Sequence, residues 1–251
     1  MNKFLSMLVL LVCTNLATMF AQNTTLEVDN QYPGWLSSKI PFKDQASVQN
    51  LTVTGYINGT DVKFIRELIN NRQLSHLDLS DANIIAGGEA YYTHPAGTLS
   101  YKIDKDNTIG RYMFTDYAWK GHLTYLSLPK SVTEIEIDNS TGYCNDNLDT
   151  LVIGGDLKML RYMDVCQTKK YLMIREGVDS LNATHIQAKS VHLPTTIKYL
   201  DRKTFSIDTV KANIESIDYF NNRCVYSGNS LNYDIGVLDN DTITFSENLS
   251  K

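Results

Sequence analysis

The sequence is poor in cysteine and has no excess of basic residues. It has 4 Cys among 251 residues, and 28 Asp plus Glu outnumber 23 Lys plus Arg, which gives a formal net charge of −5. A mildly acidic surface lacks the basic stripe that nucleic-acid binding requires, so we predict no nucleic-acid partner. No CxxC pair occurs. The sequence therefore contains neither a zinc-binding nor a thioredoxin-like motif.

The sequence also lacks the common catalytic and metal-binding motifs. Its 5 histidines are scattered without an HExxH motif, and no GxSxG motif is present. Asp104, Asp106 and Asn107 begin like a calcium loop, but Thr115 stands where that loop requires a glutamate. Nucleophilic catalysis needs a base within hydrogen-bond reach of the nucleophile, and the spacing indicates no such pair. We therefore expect no enzyme activity, no metal and no cofactor.

Long apolar runs are absent except at the beginning of the chain. Lys3 is followed by a mostly apolar stretch from Phe4 to Phe20, and the chain becomes polar from Gln22. This pattern is typical of a secretory signal peptide, which we assign to residues 1–21. The stretch is short for a membrane-spanning helix, and no later segment is long and apolar enough to span a bilayer. The sequence predicts export, with no transmembrane segment after the signal peptide is cleaved.

A repeated pattern emerges when the chain is compared with itself. Strand-like segments recur whose first apolar residues lie 19 to 25 positions apart, and a second apolar residue follows each of them two positions later. The first residues of these pairs are Leu126, Leu151, Leu172, Val191 and Val210. Alternation with a period of two indicates a β-strand with one buried face.

Each strand-like segment is followed by a turn and then by further apolar residues. The turns contain Pro129, Gly154, Gly155, Gly177 and Pro194, because glycine tolerates positive φ and proline fixes φ. An apolar pair follows in four units, as Val132 with Ile135, Leu157 with Leu160, Val178 with Leu181, and Ile197 with Leu200. Three units add a further apolar residue, at Val165, Ile186 and Phe205.

These features together predict a repeat solenoid. A unit of about 20 residues has no room for a full helix, and it buries its apolar edge only by stacking on its neighbours. We expect a leucine-rich-repeat-like stack with a parallel β-sheet and irregular return arms. The repeats are predicted over residues 73–226, starting with QLSHLDLS at 73–80.

An amino-terminal β/α cap is predicted over residues 22–72, in front of the repeats. LTVTGYI at 51–57 alternates like a strand and ends at an Asn58-Gly59 turn. A helix follows with Thr60 as its N-cap, and its apolar face consists of Val62, Ile65, Leu68 and Ile69. Such a cap hides the open end of a repeat core. Three residues are expected to pack beneath it: Trp35, Leu36 and Ile40.

Two segments depart from the repeat. An insertion at about 86–107 shows no helical or strand period and is predicted to be a long surface loop, after which the pattern resumes in TIGRYMF at 108–114. Residues 227–251 are expected to form a degenerate closing unit or a tail, with Ile243 and Phe245 in a final strand.

Three cysteines follow the signal peptide: Cys144, Cys166 and Cys224. An odd number in an exported protein leaves at least one thiol unpaired. Two interpretations stay open, namely buried small apolar residues and one disulfide between neighbouring repeats.

The segments LPKSVTEI at 128–135 and LPTTIKYL at 193–200 resemble the repeat of the BspA-like leucine-rich-repeat family of bacterial surface proteins, LxxLxLPxSVxxIGxxAFxxC. TIGRYMF, and LTVTGYINGTDVKFIREL with LSHLDLSDANI, are similar to that family's repeat, cap and first repeat. Only 109–114 keeps an intact IGxxxF signature, and Ala212 replaces the second aliphatic residue of its strand. The resemblance implies export to the extracellular side or outer cell surface of a bacterium, and binding of a protein or glycan.

The exposed row of the predicted sheet is the first candidate binding surface. Residues that alternate with the buried anchors must point to the opposite, concave face. The candidates are His76, Asp78, Tyr125, Ser127, Tyr171, Met173, Arg175 and His192. Tyr and Arg dominate binding hot spots, and Met adapts to irregular partners. Ordinary solvated sheet residues would show the same alternation.

The insertion holds the second candidate surface, formed by Tyr91, Tyr92 and Tyr101. The alternative is that these aromatic side chains pack the loop against the repeats. We predict an adhesion or ligand-binding module for a protein or glycan, and a host matrix protein is one such ligand. Two other functions stay open: an exported glycan-active enzyme, and a purely structural part of a surface assembly.

Overall fold

The computed structural model has a mostly parallel β-sheet and few helices. It describes residues 24–71, 73–97, 99–114, 122–135, 148–161, 166–167, 170–182, 186–192, 194, 196, 199–200, 205–211, 232–239 and 242–248. The predicted signal peptide lies outside these residues, as do Cys144 and Cys224. Within the described part of the chain, no helix combines the length and the apolar character needed to cross a bilayer.

Twelve strands form the large sheet. Along its path the order is β1 (Thr24–Asn30), β2 (Val48–Ile57), β3 (His76–Asp78), β8 (Tyr125–Ser127), β10 (Thr150–Ile153), β13 (Tyr171–Ile174), β15 (Ile186–His192), β17 (Phe205–Lys211), β19 (Thr242–Asn248) and β18 (Asn232–Asp239). Two strands lie off this path: β4 (Ala82–Ile84), which pairs with β2, and β12 (Cys166–Gln167), which pairs with β15. Every pairing is parallel except those of β19 with β17 and β18.

The register of the large sheet aligns the predicted anchors. Neighbouring strands place the following residues directly opposite one another: Leu77, Leu126, Leu151, Leu172, Val191 and Val210. The first four are buried, and the side chains of Val191 and Val210 lie outside the described set. Because a slip of one residue would turn every side chain to the other face, this alignment determines which side chains are exposed.

The segments that follow the turns are more regular than the sequence predicted. Short parallel strands run there instead of wholly irregular arms: β7 (Thr108–Ile109) with β9 (Glu134–Ile135), and β11 (Met159–Arg161) with β14 (Ser180–Asn182) and β16 (Tyr199–Leu200). They align the predicted second members of the apolar pairs, with Leu160 beside Leu181 and Leu181 beside Leu200. At the third position, Cys166 is paired with Ile186. The predicted residue of that unit, Val165, lies outside the described residues.

The turns after the strands stack directly on one another. Asp156 donates its backbone N–H to the carbonyl of Lys130 at 2.8 Å, and Lys130 donates to Ser80 at 3.0 Å. Gly155 and Gly177 have φ of +119° and +105°, and a Cβ on them would lie 2.3 Å from the Lys130 carbonyl oxygen and 2.0 Å from that of Gly155. Only glycine satisfies both the positive φ and this close backbone approach.

The region predicted to form the cap contains three helices among its described residues: α1 (Leu36–Lys39), α2 (Phe42–Gln45) and α3 (Gly59–Asn71). The predicted apolar face of α3 is buried in all four positions, and Leu36 and Ile40 are buried as expected. Trp35 is 58% exposed, so its predicted burial was wrong. The predicted N-cap was also wrong, because the Asn58 side chain accepts the backbone N–H of Thr60 at 3.0 Å. An asparagine in this position satisfies a donor that the helix leaves unpaired.

A buried carboxylate connects α3 to the residues around the start of α1. Asp61 is 1% exposed, and its oxygens accept the backbone N–H groups of Gly34 at 2.5 Å, Leu36 at 2.9 Å and Asn58 at 3.0 Å. The bond to Asn58 is the return half of a capping box, and the other two join α3 to Gly34 and to Leu36, the first residue of α1. Nothing in the sequence pattern distinguishes Asp61 from the other acidic residues.

The insertion corrects a sequence prediction, and the carboxyl-terminal segment contains the predicted final strand. Part of the insertion is an antiparallel hairpin of β5 (Tyr92–Thr93) and β6 (Ser100–Tyr101) rather than a strandless loop. Ile243 and Phe245 lie in β19, which matches the predicted final strand. However, β19 is antiparallel to β17 and to β18. It therefore closes the sheet as a hairpin and does not continue the parallel series.

Candidate functional site

Two rows of side chains lie on the face opposite to the buried anchors. The register places His76, Tyr125, Thr150 and Tyr171 in the first row. It places Asp78, Ser127, Val152, Met173 and His192 in the second row. We call this surface the outer face. Seven of the eight predicted residues, counting Arg175 after β13, are partly exposed. Ser127 is only 1% exposed, so its predicted place in a contact surface was wrong.

The first two residues of the first row are aromatic. The rings of His76 and Tyr125 are stacked, with 3.9 Å between centroids and 6° between planes. Burial lowers the pKa of His76, although the charge of Asp78 opposes this shift. Burial also raises the pKa of Tyr171, which occupies the same row on β13. At neutral pH the imidazole of His76 is therefore neutral and the phenol of Tyr171 keeps its proton, and both groups can hydrogen-bond and stack.

Arg175 is a brace between strands rather than an open binding residue. One guanidinium nitrogen, Nη1, donates to the carbonyl of Leu128 at 2.7 Å, and Nη2 donates to the hydroxyl of Ser127 at 2.7 Å. Since β10 lies between β8 and β13, the side chain crosses β10 to make these contacts. The sequence identified Arg175 as a hot-spot candidate, but these donors are already engaged within the protein.

We expect Arg175→Ala to lower the free energy of unfolding by about 1–3 kcal/mol, because it removes charge-assisted hydrogen bonds and leaves the carbonyl of the buried Leu128 without this donor. Urea unfolding followed by circular dichroism measures the change. Lys170→Ala is the matched control, since Lys170 forms an exposed ion pair with Asp149 at 2.6 Å and such pairs contribute about 0–1 kcal/mol. Equal stability of the Arg175→Ala variant and the wild type would contradict the brace.

Asp78 is held ionised beside this brace. Burial alone would raise the pKa of Asp78, but hydrogen bonds from the Ser80 backbone and hydroxyl and from the Ser127 hydroxyl, with the charge of Arg175, hold it below its ordinary value. The Ser80 backbone N–H lies 2.8 Å from the carboxylate. Asp78, Ser127 and Arg175 thus form one polar network across the outer face.

This network predicts a particular pH dependence. A carboxylate with a lowered folded-state pKa stabilises the protein above its unfolded pKa, about 3.9, and the contribution disappears as the pH falls through the folded value. We therefore expect the wild type to lose stability below about pH 4 more steeply than Asp78→Asn. Urea unfolding at stepped pH measures both slopes. Parallel slopes would show that Asp78 has no lowered pKa.

A groove of about 880 Å³ lies at the carboxyl ends of β3, β8, β10 and β13, next to the outer face. Met173, Arg175 and His192 belong to both surfaces. The charged side chains that line the groove are Asp81, Lys130, Asp156, Lys158, Arg175 and Glu176. Asp81 and Lys130 form an ion pair of 2.8 Å. Five of these residues were missed from the sequence, although their place directly after parallel strands is where open sheets commonly bind ligands.

The insertion does not provide the predicted tyrosine surface. Tyr91 and Tyr92 are buried, and the ring of Tyr92 lies 4.9 Å from that of Tyr112. Tyr101 is half-buried, with its ring 5.1 Å from Tyr112. The guanidinium of Arg66 stands 4.7 Å above the Tyr92 ring. These aromatic and cation–π contacts hold the hairpin down, so the alternative that the sequence left open is the one observed.

The described residues contain no cluster of three or more His, Cys, Asp or Glu side chains able to hold a metal ion. Comparison of the sequence with models of protein families gave no match, and comparison with curated proteins gave none.

Proposed function

We propose that the chain is an exported leucine-rich-repeat protein of the BspA-like type, which binds a protein or glycan ligand through the outer face of its sheet. In this proposal residues 73–226 form the repeats, residues 22–72 form their cap, and the protein acts at the surface of a bacterium or outside it. Binding, not catalysis, is its activity.

Hydrogen bonds between equivalent positions support the repeat part of the proposal. The backbone N–H of Tyr125 donates to Ser75, that of Thr150 donates to Thr124, and that of Tyr171 donates to Asp149, at 3.0, 2.9 and 2.8 Å. Each donor begins a strand and each acceptor precedes the neighbouring strand. A contact that recurs once per unit is the expectation for stacked repeats that bury one continuous core.

The aromatic row is the observation that carries the binding proposal. His76 and Tyr125 on adjacent strands, and Tyr171 one strand beyond Thr150, remain partly exposed. The same strands bury Leu77, Leu126 and Leu172 completely or nearly so. Tyrosine is enriched at binding hot spots because it combines a large apolar ring with a hydrogen-bonding hydroxyl. Rigid strands also hold these rings at fixed spacing, so a partner meets a preorganised surface.

We expect Tyr125→Ala combined with Tyr171→Ala to weaken ligand binding at least tenfold, since loss of one hot-spot side chain costs about 2 kcal/mol or more. The chain without residues 1–21 is screened against immobilised extracellular-matrix proteins and a glycan array, and the affinity for each bound ligand is then measured for both forms.

The control replaces two aromatic residues away from the outer face, Tyr32→Ala with Trp35→Ala, which are 60% and 58% exposed. This variant should bind like the wild type. An unchanged affinity of the Tyr125 and Tyr171 variant, with its folding verified by circular dichroism, would remove the outer face from the proposal.

A further inference from the structure

The groove beside the outer face differs chemically from a protein-binding surface. Its side chains are mostly polar or charged, and its apolar members are Ala82, Met173 and Ile174, of which Ala82 and Ile174 are buried. The large exposed apolar side chains among the described residues lie elsewhere: Tyr32, Trp35, Phe42, Tyr56 and Leu99. The core of a protein interface is usually apolar and depleted of charge. This groove therefore fits a polar ligand better than a protein.

Charges of both signs are balanced along the groove. The groove has three acidic side chains, Asp81, Asp156 and Glu176, and three basic side chains, Lys130, Lys158 and Arg175. Asp81 and Lys130 already form an exposed ion pair. A polyanion or polycation would meet as many like charges as opposite ones, so charge offers it no net attraction. A neutral ligand with many hydroxyl groups can instead donate to the carboxylates and accept from the ammonium groups.

The size and position of the groove limit which neutral ligands it can bind. A volume of about 880 Å³ lies in the upper part of the range for small-molecule sites, which is about 300–1,000 Å³. Met173, Arg175 and His192 are shared with the outer face, so a ligand longer than the groove can continue onto that face. There the rings of Tyr171 and Tyr125 provide surfaces on which the C–H face of a sugar can stack.

We propose that the groove binds a neutral oligosaccharide, whose hydroxyl groups bond to the charged side chains and whose chain continues onto the tyrosines of the outer face. This inference rests on the proposed binding function and names its ligand class. A glycan at this place uses Asp156 and Lys158, at the carboxyl end of β10, as direct hydrogen-bonding partners.

The test is isothermal titration calorimetry of the chain without residues 1–21 against neutral oligosaccharides derived from β-glucan, xylan, mannan and chitin. We expect at least one of them to bind, with an affinity that changes little with salt because no charge on the ligand is screened. Asp156→Ala with Lys158→Ala should weaken that binding about tenfold or more. Both side chains are exposed, so their removal leaves the core intact.

The matched control is Asp149→Ala with Lys170→Ala. These two residues also form an acid–base pair, 2.6 Å apart, but they precede β10 and β13 and so lie at the opposite end of the same strands. The control should bind the oligosaccharide like the wild type. Equal losses in the control and the groove variant would overturn the groove as the site.

Three other outcomes separate this inference from the function on which it rests. If no neutral oligosaccharide binds but a matrix protein binds through Tyr125 and Tyr171, the groove inference fails and the proposed function stands. Preferential, salt-sensitive binding of an acidic polysaccharide would also overturn the inference. If neither the groove variant nor the tyrosine variant weakens the binding of any ligand found, both proposals fail.

Discussion

Replacement of Leu172 by Asp should leave the chain largely unfolded. Leu172 is 0% exposed and lies opposite Leu151 on β10 and Val191 on β15. Removing a buried leucine side chain costs about 2–5 kcal/mol, and burying an unpaired carboxylate costs several kcal/mol more. That sum approaches the whole stability of an ordinary domain, about 5–15 kcal/mol. Urea unfolding and the dispersion of amide signals in NMR spectra measure the loss.

The neighbouring residue supplies the control for this substitution. Met173 lies on the same strand but on the outer face, where it is half-buried. Met173→Asp introduces the same charge without forcing it into the core, so we expect it to change stability far less than Leu172→Asp. If the two variants were equally stable, the assignment of core and outer faces would be wrong.

Asp61→Ala should produce the second large effect, a loss of about 3–6 kcal/mol. The substitution leaves the backbone N–H groups of Gly34, Leu36 and Asn58 without the carboxylate that accepts them. An unsatisfied donor costs about 1–3 kcal/mol when it is buried, as that of Leu36 is, and loss of a hydrogen bond to a charged group costs about 1.5–3 kcal/mol. The predicted cap is expected to lose its order first, because these bonds connect α3 to Gly34 and to the first residue of α1. Hydrogen exchange of the three amides, together with urea unfolding, measures both consequences.

Glu67→Ala provides a comparison within α3, because Glu67 is an exposed acidic residue of the same helix. It should change stability by no more than about 0.5 kcal/mol. If Asp61→Ala behaved in the same way, the buried carboxylate would not hold the cap together.

The strand positions could be predicted because their physical cause is visible in the sequence. A strand with one buried face alternates apolar and other residues, and Leu126, Leu151 and Leu172 repeat that alternation at a nearly constant spacing. The same alternation is present in TTLEVDN, where Leu26 and Val28 are less exposed than Thr25, Glu27 and Asp29. β1 was nevertheless not among the predicted strands.

The polar contacts could not be predicted in the same way. Arg175 spans an intervening strand to reach Ser127, and nothing in the spacing of the two residues, 48 positions apart, indicates that contact. Asp61 looks like any acidic residue in the first turn of a helix until its burial against Gly34 and Leu36 is known. Tyr92 is buried by Arg66 and Tyr112, which are distant in sequence. These contacts depend on how far long side chains reach and on where the chain reverses direction. The periodicity of apolar residues in the sequence indicates neither.

The groove was missed for a related reason. Asp81, Lys130 and Asp156 each follow a different strand, and as isolated charged residues after a turn they carry no motif. They line one groove because the parallel strands end at one edge of the sheet. The groove can therefore be recognised only when the register of the strands is known.

The assignment of the outer face depends on the register of the strands. Nuclear Overhauser contacts between methyl groups test this register most directly. In the chain without residues 1–21, labelled at leucine methyl groups, we expect contacts that connect Leu77 to Leu126, Leu126 to Leu151, and Leu151 to Leu172. Backbone contacts should correspondingly connect Thr150 with Tyr125 and with Tyr171. Contacts displaced by one residue, with Leu151 opposite Tyr171, would turn the tyrosines into the core and contradict the account.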